Sequence, residues 1–328
     1  MFACSLTGAC TKGSHPESAV LSRDIREHQW DTVFALRSLA ADTVLWSPSQ
    51  AFLTDSLVVV VEPTERLLSA FRMDGTLAWQ SGAKGSGPGE YAAIADVAQV
   101  TDSLIGVLDF AQARLTLIDL SGALVATHKI QLDAPPTSLR PYKSGYLAAR
   151  YGADQFLVSL DREMQQIATI PVNYPGVDVL PRMARQYQLA TDDDGNWVLS
   201  YIFGGGLVSG VDSGTSHVSY VGSPAFPSTR SMGDAGDRTI EFVGPVTCVA
   251  CGSSLSHDTA YVLAGQVGDS SRRIVDLYPT RPHIRYHHSI VLPVRARFMT
   301  VSNRGYLVGT ADSAGQQVLL LVPRSLSR

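Results

Sequence analysis

The sequence has little charge. Asp, Glu, Lys and Arg make up 17% of its 328 residues, and the formal net charge is only −4. No run of Lys or Arg forms a basic stripe, so nucleic acid is set aside as a partner. Long hydrophobic runs are missing too. No window approaches the roughly 18 apolar residues that a membrane-spanning helix needs, and the longest clusters, LVVVV (57–61) and VLLLV (318–322), have the length and composition of strands. Amphipathic segments of ten or more residues at helical spacing are also scarce, which argues against an α/β layering. Only 18–28 and 180–190 read as short helices. The Gly-x-Ser-x-Gly elbow of an acyl-transfer nucleophile does not occur. What is present is an ordinary folded composition, 45% hydrophobic, with 28 glycines and 17 prolines to punctuate it.

Cysteine is sparse, and its four positions are uneven. The opening MFACSLTGAC is apolar and rich in small residues, ends in Cys10, and runs into the polar stretch TKGSHPES. This resembles the end of a bacterial lipoprotein signal, in which a small-residue run precedes the cysteine that is lipidated. Thr7 stands where Leu is preferred, and the basic start and most of the apolar segment do not precede it. The expectation is a signal remnant and linker over 1–30, with Cys10 as the lipidation candidate and a true start upstream; the alternative is a frayed end without a role. The second pair, Cys248 and Cys251 in CVACGSS, lacks the following His of a haem attachment motif and a second CxxC for a four-thiolate zinc site. Residues three apart on a continuous strand point to opposite faces, so a Cys248–Cys251 disulfide requires a local turn. An oxidising compartment would favour that bond.

Between these ends the chain repeats. FLTDSLVVVVEPTERLLSAFRMDGTLAWQ (52–80) aligns with AQVTDSLIGVLDFAQARLTLIDLSGALVATH (98–128), matching Thr54-Asp55-Ser56-Leu57 to Thr101-Asp102-Ser103-Leu104 and Arg66-Leu67 to Arg114-Leu115. Weaker echoes begin at SGYLAARY (144–151), DDDGNWVLSYI (192–202), SHDTAYVLAG (256–265) and SNRGYLVGT (302–310). Markers at Leu57, Leu104, Tyr146, Trp197, Tyr261 and Tyr306 are spaced by 47, 42, 51, 64 and 45 residues. Six units of this length suit an all-β, six-bladed β-propeller of four-stranded antiparallel blades, forming one domain over 31–328. The strand at Leu57–Val61 is apolar on both faces, as expected of an inner strand between neighbouring blades, whereas 114–119 alternates more, as an outer strand would. Bare edges at the two ends of the ring are avoided if TVFALRSL (32–39) completes the blade that holds QVLLLVP (317–323).

The stretch GSGPGEY (85–91), followed by TDSL…VLDFAQARLTLIDLSGAL, resembles six-bladed propeller proteins of bacterial envelopes, relatives of the NHL-repeat group that are often lipoproteins. The pattern is carried by Gly85, Gly87, Pro88, Gly89, Glu90 and Tyr91, and YHHSIVLP (286–293) is similar to the last-but-one blade of that group. The resemblance spans about 50–130 well and 255–325 loosely. It implies the same fold and a place in the cell envelope, in the periplasm or at the outer membrane.

The glycine-rich stretch does not read as a phosphate loop. Lys84 precedes the glycines instead of following them, and no helix comes after to offer its N-terminus. Asp109/Arg114 and Glu62/Arg66 read as clips on the turns between strands. His283, His287 and His288 have no carboxylate at ligand spacing. The interval between Trp197 and Tyr261, longer than its neighbours, holds Arg230, Asp234, Asp237 and Arg238 in a candidate partner-binding loop. The expected function is that of a monomeric, non-enzymatic binding propeller whose loops at one mouth of the central channel take a protein, peptide or glycan. No cofactor is called for. The alternative is a metal-dependent hydrolase or lyase with a calcium or zinc ion in the channel.

Overall fold

In the computed structural model the repeat becomes six sheets around a common axis. The structure describes residues 22–37, 45, 47–150, 157–172, 174–175, 186–211, 214–221, 229–232, 239–242, 248–265, 272–312 and 315–324. Two N-terminal strands come first, β1 (Ile25–Arg26) and β2 (Trp30–Arg37). Blade 1 is β3 (Gln50–Leu53), β4 (Leu57–Glu62), β5 (Leu67–Arg72) and β6 (Leu77–Ser81). Blade 2 is β7 (Ile94–Thr101), β8 (Leu104–Asp109), β9 (Arg114–Asp119) and β10 (Leu124–Lys129). Blade 3 follows with β11 (Pro136–Tyr142), β12 (Gly145–Arg150), β13 (Leu157–Leu160) and β14 (Gln166–Thr169). Blade 4 is β15 (Tyr187–Thr191), β16 (Trp197–Tyr201), β17 (Gly206–Val211) and β18 (Gly214–Ser219). A two-stranded ribbon, β19 (Thr229–Met232) and β20 (Thr239–Phe242), precedes blade 5, which is β21 (Ala250–Ser256), β22 (Thr259–Ala264), β23 (Ile274–Pro279) and β24 (His288–Val291). Blade 6 is β25 (Ala296–Ser302), β26 (Gly305–Asp312) and β27 (Gly315–Pro323). There is no helix among the described residues, and none long and apolar enough to cross a membrane.

The ring closes as the sequence suggests. β2 pairs antiparallel with β27, from Trp30↔Pro323 to Arg37↔Gln317, and becomes the fourth strand of blade 6. β1 is a further clasp, parallel to β24 at the edge of blade 5, within the segment expected to be linker. Arg23 reinforces it: its guanidinium donates two hydrogen bonds of 2.9 Å to the buried Asp276 carboxylate, whose other donor is the Ser289 hydroxyl. The Trp30 indole donates to Val291 O across blades 5 and 6.

The repeat markers fall on the second strand of every blade, and this corrects the expected strand order. The innermost strands are β3, β7, β11, β15, β21 and β25, which pack side by side around the axis. β4 is fully buried because its side chains alternate between two interfaces. Leu57, Val59 and Val61 pack with Ile94, Val97 and Ile105 of blade 2, while Val58 and Val60 pack with Phe298, Leu307 and Leu320 of blade 6. β9, expected as an outer strand, is the third, with its four central residues buried; β10 is the outer one and alternates toward solvent. Six hydrophobic clusters result, one at each blade interface.

Candidate functional site

Each innermost strand starts at the same end of the ring. In blades 2, 3, 5 and 6 that start carries a bulge, where the pairing skips Ala95, Thr137, Cys251 and Arg297. An extra residue turns the local strand and re-aims side chains. All four bulged residues line a cavity of about 300 Å³ at this mouth, and every blade contributes to its wall. Ser49 and Gln50 come from blade 1, Asp96 from blade 2, Ser138 and Arg140 from blade 3, Tyr187 and Gln188 from blade 4, Ser253 from blade 5, and Phe298 and Thr300 from blade 6.

Half of this wall is internally satisfied. The buried Asp96 carboxylate accepts hydrogen bonds from the Ser138 hydroxyl (2.6 Å), Leu139 N (3.0 Å) and Val97 N (2.9 Å), and pairs with the Arg140 guanidinium. Gln50 donates through Nε2 to Val97 O. The other half is less so: among the described residues Gln188 Oε1 and Ser253 Oγ are shielded from solvent without a hydrogen-bond partner, and Arg297, exposed at the rim, donates to the neutral Gln316 Oε1 at 2.9 Å. Polar contacts also tie every blade to the next near the axis: Gln50 to Val97, Asp96 to Ser138, Tyr187 to Arg150 O, Val249 N to Ile202 O, Ser254 to Val301, and Thr300 to Ala51 O.

The glycine-rich loop enters blade 2 at this same end, and its backbone amides already hold an anion. Glu90 Oε2 accepts from Ser86 N (3.0 Å) and Gly87 N (2.8 Å). The loop is held from two blades: Arg66 donates to Ala92 O, Arg114 to the carbonyls of Ser86, Gly87 and Glu90, and Gln112 to Gly85 O. Gly82, at φ +108°, could carry no side chain, because a Cβ would lie 2.4 Å from Arg66 O. Tyr91 is fully buried beneath the loop, and burial pushes its phenol up to about 12.

The acid–Arg clips operate through the backbone and not as pairs. Asp109 accepts from Ala92 N, Ala93 N and Gln112 N, while Arg66 also grips the carbonyls of Pro63 and Thr64. The two arginines are not equivalent in register. Arg66 takes the left-handed turn position before β5 (φ 60°), which Ala113 (φ 47°) occupies before β9, and Arg114 is the first residue of its strand. Cys248 and Cys251 are joined as a disulfide with Cα atoms 5.6 Å apart, and the bulge at Cys251 supplies the turn this needs. Arg230 lies on β19 opposite Glu241; Asp234, Asp237, Arg238 and Cys10 lie outside the described residues. His287 and His288 stack edge to face at 4.6 Å on the edge of blade 5, away from the channel wall.

The sequence reading missed the wall residues themselves, since Asp96, Arg140, Gln188, Ser253 and Arg297 lie on strands it had not recognised as innermost. It also missed a cluster of Asp192, Asp194 and Asp258, whose carboxylates lie within 4.8 Å of one another. These lie on the turns after β15 and β21, at the opposite end of the ring, where Asn196 and Arg281 already bond to them.

Residues 41–203 match a family model described as a 6-bladed beta-propeller. No curated protein matches the sequence. Among solved structures, the chain is similar to a "Putative exported protein" from Bacteroides fragilis (10% identity, 92% of this chain and 99% of that one, TM-score 0.59). It is also similar to a member of the DUF4221 family from Bacteroides vulgatus (11% identity, 92% and 100%, TM-score 0.55). A third is virginiamycin B lyase from Staphylococcus aureus (8% identity, 90% and 100%, TM-score 0.52). At these identities the likeness is one of fold.

Proposed function

We propose, from the premise that this chain is a six-bladed β-propeller open at one mouth, that it is a non-enzymatic binding protein of the bacterial cell envelope. The observation that carries the reading is the polar cavity of about 300 Å³ to which all six innermost strands contribute. A concave, polar-lined site of that size on a rigid ring has the character of a small-molecule or glycan site. Among the described residues lining it there is one carboxylate, no histidine and no nucleophile paired with a base. A channel-bound calcium or zinc ion, as in the hydrolase or lyase alternative, would need several oxygen or nitrogen ligands. Asp96 is the one carboxylate, and both of its oxygens face protein donors. The envelope location is supported by the Cys248–Cys251 disulfide, by the small-residue run ending at Cys10, and by the fold neighbour named as exported.

The test is a binding screen of the purified chain against glycan and peptide arrays, repeated with the cavity filled by Ser253→Trp or, two blades away, Thr137→Trp. At least one ligand should bind, and a folded filled variant should lose it. Binding that survives both fillings would overturn the channel as the site.

A further inference from the structure

We propose that the Cys248–Cys251 disulfide is a reversible thiol-exchange site at the mouth of the channel; this goes beyond the binding reading above and does not rest on it. A disulfide stabilises a fold chiefly by restricting the unfolded chain, and the gain grows with the loop that the bond closes. Here only Val249 and Ala250 lie inside the loop, so the bond has little structural work to do. The strand that carries it is held by other means. β21 pairs with β22 from Ala250↔Ala264 to Ser256↔Thr259. Val249 N and Ala250 N both donate to Ile202 O of blade 4, and Gly265 N donates to Val249 O at 2.8 Å. These backbone bonds outlast the cleavage of S–S, so the freed thiols stay close, on Cα atoms 5.6 Å apart in the closed form. Opening and closing therefore need no unfolding.

Access is the second requirement, since exchange begins with direct attack on sulfur and accessible disulfides are the labile ones. Both cysteines are partly exposed, and Cys251 is among the residues that line the mouth cavity of about 300 Å³. The substrate class follows from the chemistry: a small thiol, or a pair of cysteine thiols on a peptide. A thiolate of the substrate bonds to one sulfur of the pair; the S–S bond breaks, and its electrons leave with the other sulfur as a thiolate. A second substrate thiolate then attacks the substrate sulfur of this mixed disulfide and releases the remaining protein thiolate. In the net reaction two substrate thiols are oxidised to one disulfide, Cys248 and Cys251 are reduced by two electrons, and two protons pass from the substrate thiols to the protein thiols. An oxidised disulfide of the same class drives the reverse.

The test follows the full chain through reduction in native buffer, with millimolar reduced glutathione in one arm and a short peptide carrying two cysteines in the other. Free thiols are alkylated at intervals and mapped by mass spectrometry, which reads the pair apart from Cys4 and Cys10. In at least one arm the pair should open at a rate within about tenfold of that in guanidinium, because no unfolding precedes attack; a bond that had to wait for global opening would lag by orders of magnitude. The arm that reacts faster identifies the source of the thiol. Oxidised glutathione should restore the bond, and circular dichroism and melting temperature should be nearly the same in both forms. In Cys248→Ser or Cys251→Ser, the remaining thiol should capture one glutathione from its disulfide under native conditions. A pair that opens only in denaturant, or whose opening unfolds the chain, would make the bond structural and overturn the proposal. So would a pair that stays reduced in the presence of oxidised glutathione.

Discussion

At the carboxylate of Asp96, donors from two blades converge: Val97 N from its own strand, and Ser138 Oγ, Leu139 N and the Arg140 guanidinium from β11. The residue is 7% exposed, so these bonds act with little competition from water. Asp96→Asn keeps the size but exchanges an acceptor for a donor and leaves Arg140 without its counter-charge. The expected loss is about 2–3 kcal/mol, seen as a fall of several degrees in the melting temperature. Because the partner's stranded charge is part of the cost, Asp96→Asn with Arg140→Gln should cost less than the two single changes summed. Strict additivity in thermal denaturation would show that the pair is not coupled. Nothing in IADVAQV marks Asp96 as special to a reader of the sequence, since an acid near the start of a strand is ordinary. Its importance comes from Ser138, Leu139 and Arg140, which lie more than 40 residues away and are brought near only by the ring.

At the scale of strands, much of the fold was legible because the repeat recurs in the second strand of each blade. That strand is buried on both faces, so its composition is narrow: LVVVVE and LIGVLD look alike because both must pack against blades on either side. The innermost strands looked unremarkable because one side faces the channel and carries Ser, Thr, Gln or Arg, which blurs their pattern. The N-terminal clasp was invisible for another reason. β1 is two residues long and exposed, and its evidence is the Arg23–Asp276 pair, a contact across 253 residues. That clasp has a titratable neighbour. Burial first, and then the neighbouring Arg26 guanidinium and the His287 ring, hold the His288 imidazole below its ordinary value, against an opposing pull from Asp24. Its Nδ1 is buried without a partner. The folded chain thus favours neutral His288, while the unfolded chain protonates at the ordinary value near 6.5. Stability from this group is present above about pH 6.5 and is lost as pH falls toward the depressed folded value, below which the penalty is constant. Melting temperatures measured from pH 7.5 down to 5 should fall less for His288→Gln than for the parent. An identical slope would remove His288 as a source of the pH dependence.

At the scale of the whole ring, what distinguishes this molecule from a stack of sheets is that its first and last strands share a blade. β2 covers β27 along its length, buries Phe34 and Leu36 in the cluster between blades 6 and 1, and is pinned at its start by Arg324, which donates to Asp31. Without β2, β27 would present a row of unpaired backbone groups and a stripe that includes Val318 and Leu320. An exposed apolar edge of this kind recruits another chain. The seam between blades 6 and 1 would then keep Thr300 on Ala51 O and Arg304 on the carbonyls of Thr54 and Asp55, but lose its outer layer. Removal of residues 1–37 should therefore yield a chain that associates, eluting as oligomers or aggregate in size-exclusion chromatography and melting well below the parent. Removal of residues 1–22 spares Arg23, β1 and β2 and should leave both properties unchanged. The contrast separates closure from mere length, because a shortened ring that stayed monomeric with the parent's melting temperature would mean that the interfaces of blades 1 to 5 hold the wheel without its latch. The channel cavity depends on the same latch, since Arg297, Phe298 and Thr300 stand on the blade that β2 completes.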